Sequence, residues 1–278
     1  MKKFIVFLIL WTALSACDKP NHINPIKQYG LELSDKALGV ASKSIWEVNQ
    51  LLGREELYLY SGELKEAGTA LVWVNQGYLS FTPTDMMFVL RECRCIVVQA
   101  DAFSEWMKPY GLLGQLSDQG ILSGTDVLNY FVLHELGHLT NGHEGRAINA
   151  DSTIFNRETT TSKLNEEAAD LFAANIIKNI SNDDLDVKTL ASSIQLKLGM
   201  LAFDLQGARI INNFGCSATN APCAFHDTGD THPNFEYRVL RVNCYMDEQN
   251  CEAFEDFKRR RESNGMFGDG ILYRADGL

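Results

Sequence analysis

Two histidines four residues apart, with a glutamate beside the first, are the residues of this chain best placed to do chemistry: His134-Glu135-Leu136-Gly137-His138. On an α-helix, residues with that spacing lie one above the other on the same face, so both imidazoles can turn a nitrogen toward one metal ion. Two neutral imidazoles leave coordination positions on a zinc ion open, and the neighbouring Glu135 carboxylate can take a proton from a water held there. That is the chemistry of metal-assisted peptide hydrolysis. Five loosely specified letters also arise by chance on core helices, so the pattern needs a third ligand, a group to stabilise an oxyanion and a fitting compartment.

The nearest third ligand is His143, five residues past His138. In the metzincin pattern the third His stands one residue further on, with a glycine midway where this chain has Asn141. A His just beyond a helix end is more often a rim residue than a ligand, so His143 is not counted as one. The better source is the segment Leu164-Asn165-Glu166-Glu167-Ala168-Ala169-Asp170. Glu166 and Asp170 share a helix face, so one can reach the metal while the other accepts a hydrogen bond from the outer nitrogen of a ligating His. Ala168, Ala169 and Ala173 are small enough to let this helix approach the first closely. Taken alone, Glu166 and Glu167 read more simply as an acidic first turn that complements the helix dipole. Beside the two histidines that plainer reading loses.

His-Glu-x-x-His followed by Glu-x-x-Ala-Asp resembles the gluzincin group of zinc peptidases, and Asn165-Glu166-x-x-Ala169-Asp170 is similar to the Asn-Glu-x-x-Ser-Asp of thermolysin-type enzymes. A third stretch, Thr231-His232-Pro233-Asn234-Phe235-Glu236-Tyr237-Arg238, resembles the Thr-His-Pro…Arg motif of the HtpX-like and CAAX-prenyl-protease-type metallopeptidases, including periplasmic lipoprotein members. The resemblance spans residues 134 to 238 and implies roles for single residues. His134, His138 and Glu166 would ligate Zn2+, Glu135 would be the general base, and Asp170 would support the ligands from behind. His232 would stabilise the oxyanion, and Arg238 would hold the site or bind the substrate backbone. Pro233 also suits the first turn of a helix, and both readings of that stretch can hold together. The chain departs from the family by lacking transmembrane helices and by carrying Cys216 and Cys223 before the His-Pro pair.

The compartment is read from the first residues. Lys2 and Lys3 precede the apolar run from Phe4 to Ala13, too short to span a bilayer comfortably, which is the form of a secretory signal. Leu14-Ser15-Ala16-Cys17 resembles the lipobox of bacterial lipoproteins, which makes Cys17 a lipidated mature N-terminus and residues 1–16 its signal; a plain signal peptide with an incidental Cys is the alternative. Asp18 resembles an inner-membrane retention signal of enteric-type sorting. The expectation is a lipid-anchored protein of the bacterial cell envelope facing the periplasm. Six cysteines remain after Cys17, an even number that reads as disulfides in an exported chain; their order suggests the local pairs Cys216–Cys223 and Cys244–Cys251, though spacing alone does not fix the connectivity. A Cys93–Cys95 bridge would be strained if both stood on one strand. Setting Lys2 and Lys3 aside leaves 23 basic against 36 acidic residues, which argues against a nucleic-acid surface. The one basic run, Lys258 to Arg261, reads as a solvated helix face.

The elements that must position these groups follow from periodicity. With 278 residues and 45% hydrophobic content the chain has the composition of an ordinary globular protein. Residues 17–33, with Pro20 and Pro25, suit a tether. Helical spacing is expected from Ser34 to Leu52, and a hairpin from Thr69–Asn75 and Tyr78–Phe81 around Gln76-Gly77. Arg94 to Ala100 reads as a further strand. The helix bearing His134 is capped by Ser123 or Thr125, buries Leu128, Phe131, Val132 and Leu136, and ends near Asn141-Gly142. A long helix from Asp186 to about Ile211 buries Leu190, Ile194, Leu198, Leu201 and Leu205, with Met200 and Phe203 also in the core.

The expected fold is α+β: a mostly helical zincin-type metallopeptidase domain over 34–251, with a small β-sheet beside the His134 helix, and a polar tail over 252–278. The expected partners are a peptide or unfolded protein substrate and, through the anchor, a membrane. The function read from these features is a zinc-dependent envelope endopeptidase. The competing class is a non-catalytic zinc-containing envelope chaperone or peptide-binding lipoprotein, which has no need of Glu135.

Overall fold

The computed structural model of the chain describes residues 30–75, 87–100, 125–143, 159–180, 184–211 and 234–263. These form an α+β domain, mostly helical, with one four-stranded mixed sheet. In chain order the elements are helix α1 (Leu38–Leu52), strands β1 (Leu57–Leu59), β2 (Thr69–Val74), β3 (Met87–Leu90) and β4 (Cys95–Gln99), then helices α2 (Thr125–Thr140), α3 (Thr159–Lys178), α4 (Leu185–Ile211), α5 (Phe235–Met246) and α6 (Cys251–Ser263). No described helix is long and apolar enough to cross a membrane.

The strands run in the order β1-β2-β4-β3, with β1, β2 and β4 parallel and β3 antiparallel on β4. The expected hairpin is therefore corrected. Strand β2 is paired on one side with β1, in the register Leu57 to Thr69, and on the other with β4, in the register Ala70 to Cys95. Beyond β1 that first side is taken by residues 32–34, antiparallel to Trp73–Asn75, so both sides of β2 are occupied; Tyr78–Phe81 lie outside the described residues. All six residues of β2 are buried, as suits a parallel strand covered on both faces, and such a run carries no alternation to separate it from a hairpin strand.

Helix α1 begins later than its apolar spacing suggests. The Ser34 N–H donates to the Trp73 carbonyl at 2.9 Å and Leu33 bridges Val74, so the chain before α1 extends the sheet. Ala37 then takes a left-handed turn at φ 54° into the helix. At the far end Gly53, at φ 64°, closes it, and Asn49 clamps it to β1 by accepting from the Glu56 and Leu57 N–H groups.

One face of the sheet, with Leu57, Leu71, Trp73, Ile96 and Val98, packs into the main core with α1, α2, α3 and α4. The other face carries Tyr58, Ala70, Val72, Phe88 and Val97. Helix α2 runs through the centre and lies against α1, α3, α4 and the β3–β4 side of the sheet. Leu128, Val132 and Leu136 are buried as expected, while Phe131 is half-buried and stacks on Phe235. Its first turn is pinned by polar groups. Asn129 accepts from Ser44 Oγ at 2.6 Å and donates to Glu47 at 2.7 Å, and Asp126 pairs with Lys197 and accepts from Ser193 at 2.7 Å.

Helix α4 keeps Ile194, Leu198 and Leu201 inside, but Phe203 stands 69% exposed, which corrects its expected place in the core. The residues expected to begin a tail instead form α6, whose Phe254 and Phe257 pack with Leu201, Tyr237 and Leu240. The Cys244–Cys251 disulfide ties α6 to α5, as its local spacing suggests. A Cys93–Cys95 disulfide is present as well. The two cysteines do not share a strand: Cys93 ends a 3₁₀ turn, Arg94 is left-handed at φ 51°, and Cys95 opens β4.

Candidate metal centre

Helices α2 and α3 cross where side chains are smallest. A Cβ placed on Gly137 would stand 3.0 Å from the Ala169 Cα and 3.1 Å from its carbonyl oxygen, so glycine is what lets the two backbones come this close. Ala169 is fully buried there, and Ala173, one turn on, is fully buried as well. The crossing sets His134 and His138 of α2 opposite Glu166 of α3, all three side chains buried.

His134 Nε2 and His138 Nε2 are 3.1 Å apart, and the Glu166 carboxylate oxygens lie 3.3 Å from the first and 3.4 Å from the second. An ion with nitrogen and oxygen bonds of about 2.0–2.1 Å at tetrahedral angles has ligand atoms about 3.3 Å apart. The three donors therefore have the spacing, and the two-imidazole, one-carboxylate chemistry, of a site for a small divalent cation. Among the described residues these three form the group of His, Cys, Asp and Glu side chains able to hold a metal ion.

The outer sides of the donors are also held. His134 Nδ1–H donates to Asp170 Oδ1 at 2.9 Å. Asp170, one turn after Glu166, further accepts from Tyr130 Oη at 2.9 Å and from Arg238 Nε and Nη2, each at 2.8 Å. Arg238 Nη1 meets Glu166 Oε2 at 3.1 Å, so one guanidinium spans both carboxylates. Helix α5 supplies that arginine one turn from its start, where Asn234 caps the helix by accepting from the Tyr237 N–H at 3.0 Å. A second arginine a turn on, Arg241, pairs with Glu167 at 2.7 Å.

Burial alone would discharge these groups, and their charges on one another reverse that. Desolvation opposes charge on Asp170, but Arg238 and the hydrogen bonds to it hold its carboxyl well below the usual carboxylate range. Glu166 is lowered in the same way, first by Arg238 and then by the two histidines. Burial disfavours the His134 imidazolium, yet Asp170 and then Glu166 outweigh it and raise its pKa to about 9. Glu135 faces the same cluster. Burial raises its pKa, and the charges of His134 and His138 pull against that rise.

The structure thus brings together five of the residues singled out from the sequence: His134, His138, Glu166, Asp170 and Arg238. Arg238 was expected to hold the site or to bind substrate, and here its donors are turned to Asp170 and Glu166. His143 does not join the triangle, and its ring meets His138 on the side away from Glu166. His232, Cys17, Cys216 and Cys223 lie outside the described residues. Tyr130 was not anticipated. It stands four residues before His134, on the same helix face, and that spacing was the available signal.

A family model described as Peptidase U49 matches residues 124–255, a little under half of the chain. The matched stretch begins at the start of α2 and contains every residue of the cluster. No curated protein and no solved structure matches the chain.

Proposed function

We propose that the chain is a zinc-dependent endopeptidase of the bacterial cell envelope, with His134, His138 and Glu166 as the metal ligands and Glu135 as general base. The observation that carries this reading is the buried triangle of two imidazoles and one carboxylate, at spacings a small divalent ion fits, with an unused glutamate beside it. The match to a peptidase family over the same residues supports it, as does the resemblance to gluzincins of the HtpX-like type.

Bound zinc supplies Lewis acidity, polarising a scissile carbonyl and bringing the pKa of a water toward neutrality. The protein's own groups do the rest. Glu135 takes the proton of the attacking water and returns it to the leaving amine. Asp170, by accepting the Nδ1 proton of His134, keeps Nε2 of that ring free to face the metal. Arg238 holds Asp170 and Glu166 in place and offsets their charge. His232 is assigned oxyanion stabilisation on the His-Pro resemblance. Among the described residues β3 pairs only with β4, and α2 packs beside it, so its outer edge suits an extended peptide.

Envelope location and lipid anchoring through Cys17 rest on the signal-like start, and the presence of disulfides agrees with export. The substrate class is then an exposed or unfolded segment of an envelope protein.

Cleavage of casein by the wild-type chain and by Glu135→Gln tests the reading. The wild type cleaves with zinc present, and the variant keeps its zinc and loses at least about a hundredfold in rate, the lower range for a positioned acid–base group. Equal cleavage by the two, or none by a zinc-loaded wild type on any unfolded substrate, would leave a binding protein or chaperone as the better description.

A further inference from the structure

The geometry points to His143 as the positioning residue of His138: its neutral ring accepts the His138 Nδ1–H and so leaves Nε2 of His138 as the lone-pair nitrogen turned to the metal. This rests on the metal reading of His134, His138 and Glu166 and adds to it a role for a residue outside the ligand set.

Helix α2 ends on a left-handed glycine. Gly142 takes φ 69°, the His143 N–H donates to the His138 carbonyl at 3.0 Å, and the Gly142 N–H reaches the Leu139 carbonyl at 3.4 Å. This is a Schellman-type cap, in which a left-handed residue turns the chain back so that the next residue packs on the last turn. An apolar contact commonly closes such a cap, between the residue after the glycine and the one five before it. Here both positions are histidines. Their Nδ1 atoms are 3.1 Å apart and the rings meet at 71° with centroids 5.2 Å apart, an edge contact in which one nitrogen donates and the other accepts.

Which one donates follows from the other side of His138. Its Nε2 lies 3.1 Å from His134 Nε2 and 3.4 Å from Glu166, at the centre of the triangle. An imidazole that ligates through Nε2 carries its proton on Nδ1. His138 is then the donor and His143 the acceptor. His134 has the same arrangement with Asp170 in the accepting place. Each ligating imidazole thus has its outer nitrogen engaged, one by a carboxylate from α3 and one by an imidazole delivered by the helix's own cap. The two nitrogens of a ring face opposite ways, so His143, on the Nδ1 side, cannot share the ion with His138 Nε2.

The test is zinc affinity by chelator competition on His143→Leu and His143→Asn, with the nitrogen-15 spectrum of the wild-type histidines. Groups that hold a ligating His from behind are worth about 10- to 100-fold in metal affinity. His143→Leu is expected to weaken zinc binding by about that factor, while its metal-free melting temperature stays within a few degrees of the wild type. His143→Asn, whose side-chain carbonyl can accept the same proton, is expected to recover most of the loss. The zinc-loaded wild type is expected to show His138 protonated on Nδ1. Unchanged affinity in His143→Leu overturns the inference and leaves the metal reading intact. Loss of zinc as complete as that of His138→Ala, with no recovery by Asn, overturns it by making His143 a ligand. A wild-type chain that binds no zinc overturns the metal reading, and this inference with it.

Discussion

Arg238 is the residue on which the charge balance of the centre turns. Its guanidinium is within 3.1 Å of Glu166 and makes two 2.8 Å bonds to Asp170, and both carboxylates are buried. Removing it leaves two buried carboxylates with only the His134 imidazolium to balance them, and breaking a buried pair from one side costs about 3–5 kcal/mol. Arg238→Gln should therefore destabilise the metal-free chain by about 3 kcal/mol in denaturant unfolding, with a smaller loss in the zinc-loaded chain, where the ion supplies positive charge at Glu166. Equal losses in the two forms would mean that arginine and metal do not share those carboxylates. At this scale the sequence was informative: residues that bear chemistry are few, and their spacing on helices is fixed by the helix period. Tyr130 was missed because a tyrosine on an apolar helix face looks the same whether it meets a carboxylate or a core. His143 was seen, but its place behind His138 depends on a cap that spacing alone does not reveal.

At the scale of elements, the site depends on how closely α2 and α3 approach. Glu166 stands one turn before Ala169, and Ala169 touches Gly137 almost backbone to backbone. In Gly137→Ala the added methyl would lie 3.0 Å from the Ala169 Cα and 3.1 Å from the Phe172 Cβ, so the helices must part by a few tenths of an ångström. Overpacking of this kind costs about 1–3 kcal/mol, more than the roughly 1 kcal/mol alanine gains over glycine in a helix. A net loss of stability is expected in urea unfolding, together with weaker zinc binding as Glu166 draws away from the histidines. Helices were legible here because their apolar periodicity is a local property. The sheet was less so. A buried strand such as β2 is apolar throughout, and its partners are chosen by tertiary packing, so Gln76-Gly77 suggests a hairpin for which β2, paired with β4 on one side and with β1 and residues 32–34 on the other, has no free side. Phe203 failed for a different reason: it lies off the buried stripe of Ile194, Leu198 and Leu201, on the outward side of a turn whose Leu201 and Ala202 are buried.

For the molecule as a whole, the buried charges tie stability to pH. In the metal-free chain His134 has its pKa raised to about 9 from an ordinary 6.5. A group raised on folding contributes stability that is fully present below about 6.5 and is lost as the pH climbs through about 9. Glu166 and Asp170, lowered on folding, work in the opposite direction in the acid range. The metal-free melting temperature should accordingly fall between pH 6.5 and 9, and saturating zinc should raise it throughout that range by mass action. A flat profile in both forms would mean that the buried cluster is not linked to folding. The helix after Cys251 belongs to this scale too: polar on most of its surface, it gave little sequence signal, yet Phe254 and Phe257 complete a third apolar cluster that supports α5 and, through it, Arg238.

The claim beneath all of this is that His134, His138 and Glu166 hold one zinc ion. X-ray absorption at the zinc edge, on the wild-type chain loaded with one equivalent and on Glu166→Ala, addresses it most directly. The account predicts nitrogen and oxygen donors alone at about 2.0–2.1 Å in the wild type, two of them imidazoles, with zinc lost or weakly held in Glu166→Ala. Sulfur donors at about 2.3 Å, or a spectrum and affinity unchanged in Glu166→Ala, would contradict it.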